Sequence, residues 1–543
     1  MADFDFDVVI CGYGLAGLSL ASVLSRLGHR VCVLEKFPSL YGAPRLISVD
    51  GEGARILQAA GDIDRSLRVS AVPRHYSLLD ADRELITRVD WRGLHMCGFA
   101  GRICFYQPDA EQEMDEAARA RGADVNQGWE VISADQNASG VTVVARKRNV
   151  GYGGGDTPSR SIRARYLVGA DGARSFIRET FGFEREDFGF QSAFLSVDCD
   201  RLKPLPQLDQ PFSICDPGRN ITYIPIGRKR MRFEFVINPD DDHNELLVPE
   251  VGYDFLAQAW GLTREDVNIY RQVIYKFEGK LAPSWRKGRV FLVGDAAHLM
   301  PPFLGQGGCA ALRDSINLAW KMHLVLGGVS DEALLDTYQE ERKPHVRVHI
   351  EGSIALGRLA CETDPVKAAE RDRMYRAGEM PPPPPDPTLV GGVLYRDENG
   401  ELGRYAGELM EQGIVKYRGE IGRFDDVVGW GFHLIGWECD PLATLNAEQR
   451  AFLESIGCTA ITVGHDPDVE GALEIDRAYE AFFTDRESMR AVISRPDFYI
   501  FGAVWNLDDL PAIVESLRAQ LFATKGSGDA RALEHAGDQG ASH

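Results

Sequence analysis

The sequence predicts an α/β protein: a Rossmann-like parallel sheet, an antiparallel sheet inserted into it, and a separate C-terminal domain. Three observations predict this. Apolar runs at 7–11, 166–169 and 290–293 each lead into a glycine-containing turn and a helix start, as in doubly wound folds. Between the second and third runs the chain changes to short β-branched and aromatic segments separated by Gly and Pro, which suits antiparallel strands. A stiff PPPPPDP stretch at 381–387 then separates a further set of apolar runs.

The opening element is strand 7–11, then Gly12-x-Gly14-x-x-Gly17, a helix to about residue 27, and strand 30–34 ending at Glu35. Gly12 permits the tight turn, Gly14 lets a diphosphate approach the backbone, and Gly17 lets the helix pack on the strand. Glu35 follows 18 residues after Gly17, where a carboxylate accepts ribose hydroxyl protons. The run YLVGADGARSFIR, 166–178, is a second buried strand ending in Asp171-Gly172. By itself Asp-Gly is only a turn signal. The third run, VFLVGDAAHLMPPFLGQGGCAALRDSINLAWK at 290–321, ends its strand at Gly294-Asp295 and starts a helix near Gly307. A carboxylate at the carboxyl end of a strand, facing the positive end of a helix, suits a flavin. Asp295 can meet the ribityl hydroxyls, and the helix end can meet the electron-rich pyrimidine edge.

Short runs at 194–197, 213–215, 222–226 and 231–237 are read as the inserted sheet, one wall of a substrate cavity. Residues 334–360 read as a long amphipathic helix that Pro344 should kink or break. The segment 147–161, with GYGGGD, is read as a solvated hairpin loop, because Asp156 breaks a phosphate-loop pattern and no helix follows. In the tail, apolar runs at 427–435 and 458–463 precede a helix candidate at 470–483, the run at 495–505 and a last helix at 510–521. Asp509 can cap that helix and Pro511 suits its first turn. The expected domains are 1–184, 185–280, 281–380, a linker at 381–399, 400–523, and a disordered Gly/Ala/Asp-rich end at 524–543.

Composition narrows the function. At 543 residues, two or three domains are expected. No apolar run is long enough to span a bilayer, and the start MADFDFD lacks a basic signal region. A formal charge of −21 argues against nucleic acid or an anionic membrane as partner. Ten scattered cysteines form no CxxC and no metal spacing, so no metal is expected and a reduced, cytoplasmic protein is the simplest account.

The three nucleotide segments together resemble the group A flavin-dependent aromatic hydroxylases, the para-hydroxybenzoate hydroxylase superfamily, over about residues 5–350. The nearest branch is that of the 3-(3-hydroxyphenyl)propionate hydroxylase-like enzymes. The residues that carry it are Pro44-Arg45, Asp50-Gly51-Glu52, Gln107-Pro108, Asp216-Pro217, Arg232-Phe233-Glu234-Phe235, 300–307, Arg313-Asp314, 317–321 and 335–338. The tail resembles the thioredoxin-like domain of that branch, here without CxxC, so a structural or dimer-forming role is expected of it. The resemblance implies FAD, NADPH or NADH as transient hydride donor, O2, and a phenolic substrate hydroxylated via a flavin C4a-hydroperoxide. Expected cofactor contacts are Gly12, Gly14, Leu15, Ala16, Gly17, Glu35, Lys36, Arg45, Gln107, Asp171, Gly172, Gly294, Asp295, Pro302, Gly305, Gln306, Gly307 and Gly308.

Electrophilic hydroxylation is faster on a phenolate, so some group should assist deprotonation. Arg219 or Arg232 could bind a substrate carboxylate, and Tyr223 could reach a phenol oxygen. Related enzymes place a His near Ser48; without it the base is unassigned. His298 is expected to be structural, and Cys309 to be packing. An alternative is a tailoring oxygenase of natural-product biosynthesis, performing epoxidation or Baeyer–Villiger-type chemistry; the WxWxIP halogenase motif is absent. A non-enzymatic binding protein is disfavoured by the two acid-bearing strand ends, Asp171 and Asp295.

Overall fold

The computed structural model describes residues 4–61, 63–148, 158–380, 387–466 and 471–522. Contacts divide the chain into two compact units, Met1–Ser315 with His345–Pro387, and Ile316–Pro344 with Thr388–His543. Of the predicted hairpin loop, residues 149–157 lie outside the described residues. So do most of the proline run, Glu470 of the helix candidate, and the end 524–543.

In the first unit the expected parallel sheet is present. Along its main path the order is Arg286–Lys287, Val290–Leu292, Ser159–Gly169, Phe6–Cys11, Val31–Glu35, Asp124–Gln127, parallel except for the first pair, and off this path Val141–Lys147 pairs antiparallel with Ser159–Gly169 and with Trp129–Gln136. Val8, Val9, Ile10, Cys32, Val33, Leu167, Val168 and Phe291 are 0 % exposed. Such continuous apolar runs are what a sheet covered on both faces demands, at about 1.5–3 kcal/mol for each large side chain buried. Helix Leu15–Arg26 covers one face and buries 11 of its 12 residues. Because the strands are parallel, Cys11, Glu35, Gly169 and Leu292 all end at one edge.

The second sheet has the order His298–Leu299, Val267–Leu281, Glu186–Arg201, Arg230–Val236, Ile221–Ile226, Phe212–Ile214, His75–Leu79, Leu85–Asp90. It is wider than the sequence reading. The 15-residue strand Val267–Leu281 was not anticipated, and two strands come from residues 75–90. Strand His75–Leu79 joins in parallel to Phe212–Ile214, the other contacts being antiparallel. One face packs Leu195, Val197, Phe233, Phe235 and Tyr223 against Leu256 and Ala259 of helix Pro249–Trp260.

Helices Gly307–Leu326 and Thr337–Ala360 form where predicted, and Pro344 lies inside the second rather than ending it. In the second unit a seven-stranded mixed sheet runs Glu420–Arg423, Ile414–Tyr417, Ala472–Glu474, Thr459–Gly464, His433–Trp437, Ala491–Ser494, Ile500–Val504. Asp509 occupies the N-cap position of helix Leu510–Leu521 without a side-chain hydrogen bond. A closed charge network is buried in this unit. Arg495 pairs with Glu341 at 2.6 Å and Asp497 at 2.6 Å, and Lys321 pairs with Glu341 at 2.8 Å. Burial pulls the Lys321 ammonium down to about 8 against the attraction of Glu341.

A second buried network fixes the site end of the first unit. Arg313 donates to Glu52 at 2.5 Å, Gln306 at 2.8 Å and Asp50 at 2.8 Å, and Gln306 donates to Asp50 at 2.9 Å. Asp50 also caps helix Gly51–Ala60 by accepting from Gly53 N at 2.7 Å. Burial raises the Asp50 carboxyl, but Arg313 and Arg102 outweigh it and hold the group well below the usual carboxylate range. A depressed carboxyl adds stability that is complete above its ordinary pKa of about 3.9 and is lost as pH falls below that. Arg313→Met should leave two carboxylates buried without their cation and cost about 3–5 kcal/mol. Urea midpoints between pH 3 and 7 should show that loss near neutrality and a much flatter acid limb than wild type; an unchanged midpoint would refute the assignment.

Candidate FAD site

The sheet edge collects the residues that the sequence singled out. Glu35 accepts from Tyr13 N and from Phe37 N, both at 2.8 Å, so its carboxylate is turned toward the glycine turn. Tyr13 itself is fixed by a 2.9 Å hydrogen bond from its hydroxyl to Asp115. Gly12 and Gly17 are closed positions: an added Cβ would lie 2.4 Å from Ala170 O and 2.2 Å from Gly12 O, respectively. Gly14 is open. Its added Cβ would meet only the Arg45 guanidinium, at 3.2 Å. Helix Leu15–Arg26 begins here with no side-chain cap and no acid in its first turn, leaving Leu15, Ala16 and Gly17 at a positive helix end. Lys36 is exposed beside this edge.

Asp171 follows the next strand. One oxygen accepts from Ile177 N at 3.1 Å; the other, Oδ1, is buried without a hydrogen-bond partner among the described residues. Burial raises its pKa. Gly172 (φ +79°) is open beside it. A buried carboxylate oxygen with no partner is costly unless a ligand or water satisfies it. Asp295 is exposed after strand Val290–Leu292, while Gly294 is buried between Ala16 and Ala311. The Gly294 N–H donates to Asp314, and His298 Nε2 lies 2.7 Å from the same carboxylate. His298 is therefore a buried structural partner, as expected.

Gly305 (φ +64°) turns the chain after Pro302–Leu304, and Gly307 opens helix Gly307–Leu326. Pro302, Gly305, Gly307 and Gly308 remain half-buried deep in the fold. Gly308 abuts Leu46, where a Cβ would clash at 2.6 Å. Cys309 is buried, its thiol pushed up to about 12, mainly by burial.

Several side chains do other work than the sequence suggested. Gln107 is 2 % exposed; its oxygen accepts from Arg45 N at 2.8 Å and Leu46 N at 2.7 Å, and its nitrogen donates to Glu111. It shapes the 44–46 loop instead of presenting a free amide. Gln306 is likewise held by Arg313 and Asp50. The three side chains expected at the substrate are engaged with other groups of the protein. Tyr223 points into the sheet's core, 0 % exposed, accepting from Arg201 and donating to Leu208 O. Arg219 forms a bidentate pair with Asp241 at 2.7 and 2.9 Å. Arg232, 2 % exposed, binds Asp198 at 2.6 Å and donates to Pro44 O and Arg45 O. Arg271 also donates to Pro44 O and to Asp198. Two sheet guanidiniums thus clamp the loop that carries Arg45 over Gly14.

These features fit FAD: an open backbone at Gly14 for a diphosphate, carboxylates at three strand ends for hydroxyls, and an unsatisfied buried oxygen. Among the described residues no His/Cys/Asp/Glu group could hold a metal ion, and no helix is long and apolar enough to cross a membrane.

Comparison with known proteins agrees. A family model described as "FAD binding domain" matches residues 5–353, and one described as "HcaD C-terminal domain" matches 407–520. The chain is 32 % identical to a "Probable NADH-specific resorcinol 4-hydroxylase" of Rhodococcus jostii (strain RHA1), covering 94 % of each protein. It is 32 % identical to a 3-(3-hydroxy-phenyl)propionate/3-hydroxycinnamic acid hydroxylase of Mycobacterium sp. (strain JLS), covering 97 % of this chain and 94 % of that one. Among solved structures, aklavinone-11 hydroxylase with FAD and aklavinone superposes with a TM-score of 0.75 at 24 % identity, over 95 % of this chain and 99 % of that one. The flavin-dependent monooxygenase PieE, with FAD and substrate, also gives 0.75, at 20 % identity and the same coverage. The chain belongs to the FAD-binding family of group A aromatic hydroxylases and is an FAD-dependent aromatic monooxygenase.

Proposed function

We propose that this enzyme hydroxylates a small phenol that carries a second substituent meta to its hydroxyl, with NADH as the donor. Resorcinol and 3-(3-hydroxyphenyl)propionate, named for the two relatives, share that substitution pattern. The single observation that carries the reading is the sheet edge where Glu35, Gly14, Asp171 and Asp295 converge at the ends of parallel strands.

The residues have distinct roles in this reading. Glu35 and Lys36 receive the adenosine ribose. Gly12, Gly14, Leu15, Ala16 and Gly17 offer backbone N–H groups to the diphosphate, with Arg45 above them. Asp171, Gly172, Gly294 and Asp295 face the middle of the cofactor. Pro302, Gly305, Gln306, Gly307 and Gly308 line its ring through their backbone, and the helix end there favours negative charge. When bound, the flavin accepts hydride and activates oxygen. Gln107 acts from behind, setting the loop that carries Arg45.

Residues 1–184 and 281–380 form the flavin-binding part in this reading, joined by the substrate sheet of 185–280 to which 75–90 contribute. Residues 400–523 form a thioredoxin-like tail. The tail's support is its strand–helix–strand unit, with His433–Trp437 parallel to Thr459–Gly464 and antiparallel to Ala491–Ser494. Lacking a cysteine pair, it serves structure or dimer formation. Ten free thiols suit the cytoplasm.

Purified enzyme should be yellow, and resorcinol should accelerate its NADH oxidation with a product one oxygen heavier by mass. A colourless protein that takes up no FAD sinks the reading. Gly14→Val should lower FAD affinity at least about tenfold, or about 1.4 kcal/mol, with an unchanged melting midpoint of the apoprotein; equal fluorescence-titration curves would count against the diphosphate position.

A further inference from the structure

Strand alternation gives the second sheet two different faces. Opposite the apolar face that packs on helix Pro249–Trp260, a polar row crosses four strands. Ser196 lies opposite Glu234, Glu234 opposite Thr222, and Thr222 opposite Ser213, so all four side chains leave the sheet on the same side. Ser196 Oγ donates to Glu234 Oε1 at 3.1 Å. Ser213 Oγ lies 2.8 Å from Thr222 Oγ1 and 2.7 Å from the Tyr76 hydroxyl.

This face also carries Phe194, packed edge-on against Phe303 with ring centroids 5.8 Å apart. Phe303 belongs to the Pro302–Leu304 turn that leads into Gly305. The face that bears the polar row therefore meets the turn that leads into Gly305. Thr222, Ile224, Tyr275 and Phe277 on the sheet, and Phe303 and Leu304 on the turn, stay half-buried. Glu234 is 7 % exposed. Its nearest cation, Arg232 at 3.6 Å, is already held by Asp198 and two loop carbonyls. Burial raises the Glu234 carboxyl, Arg232 and a hydrogen bond from Ser196 lower it, and Asp198 on the adjacent strand raises it again; Tyr76 is a further titratable neighbour.

We propose that Glu234 is the proton acceptor of the hydroxylation, taking the proton from the substrate's phenolic hydroxyl while Ser196, Thr222, Ser213 and Tyr76 orient that end of the ring. The inference rests on the aromatic-hydroxylase reading above. In the step, the phenol O–H bond breaks and a carboxyl O–H bond forms. The negative charge passes from Glu234 to the phenolate oxygen, and no electrons leave the ring. An elevated carboxyl pKa makes Glu234 a stronger base than an exposed glutamate. The same charge repels an anionic group, so the substrate presents a neutral hydroxyl, not a carboxylate, to this row.

The test uses the FAD-loaded enzyme and a nitrophenol whose phenolate absorbs in the visible. Because the Glu234 carboxylate repels the phenolate, the bound probe should ionise at higher pH in wild type than in Glu234→Gln, where at a fixed pH about tenfold more phenolate is expected. Tyr76→Phe should shift the same titration by a smaller amount. In turnover, the acid limb of the wild-type kcat/KM profile should vanish in the glutamine variant. If Glu234→Gln fails to hold FAD, Glu234→Asp carries the test, moving the probe titration by a smaller amount in the same direction and keeping the acid limb at a lower rate. Identical probe titrations in wild type and variant would overturn the proposal while leaving the hydroxylase reading intact. A wild type that binds no phenol and shows no phenol-stimulated NADH oxidation would overturn both.

Discussion

Arg313 is the joint on which the flavin-facing end of the first unit is built. One guanidinium ties Glu52 and Asp50, at the start of helix Gly51–Ala60, to Gln306 in the turn that opens helix Gly307–Leu326. Two helix starts separated by more than 250 residues in sequence are thereby set at fixed mutual distance. Buried ion pairs are poor sources of net stability, but breaking one is costly, so they act as register marks. Within the Gly305–Gly308 segment, this network ties Gln306 to both Asp50 and Arg313.

The second constraint comes from the substrate sheet. Arg232 and Arg271 share Asp198 and donate to the Pro44 carbonyl, so the sheet positions the loop that holds Arg45 over Gly14. Gln107 grips the same loop from the opposite side of the sequence, through two backbone amides. Residues that read as ligand contacts in the sequence are here framework that aims others. The framework explains why the motif is spread along the chain: Pro44-Arg45, Asp50, Glu52, Gln107, Arg232, Gln306 and Arg313 are partners in two connected supports.

Much of this was legible in the chain. The parallel strands, the first helix and the acids at the strand ends follow from apolar runs punctuated by Gly and Asp, signals that are local. The role of Tyr223 was not legible, because a one-residue step in a strand exchanges one face for the other; that of Arg232 was not, because its partner Asp198 stands on another strand. Parity did hold the clue: Tyr223 pairs with the core residue Phe233, while Thr222 pairs with Glu234. Strand Val267–Leu281 was missed because charged residues interrupt it at Arg271, Lys276 and Glu278, masking its alternation. The strands at 75–90 were missed because their partner, at 212–214, is more than a hundred residues away.

That distant partnership has a consequence for how the polypeptide is made. Emerging from the ribosome, His75–Leu79 must wait for Phe212–Ile214, and the parallel sheet must wait for Val290–Leu292, which completes the pairing with Ser159–Gly169. About two fifths of the polypeptide is thus synthesised before the first of these pairs can form and more than half before the second, with unpaired apolar edges exposed meanwhile. Such high contact order slows folding and invites aggregation, so slower synthesis or chaperone supply should govern the recoverable yield of this enzyme.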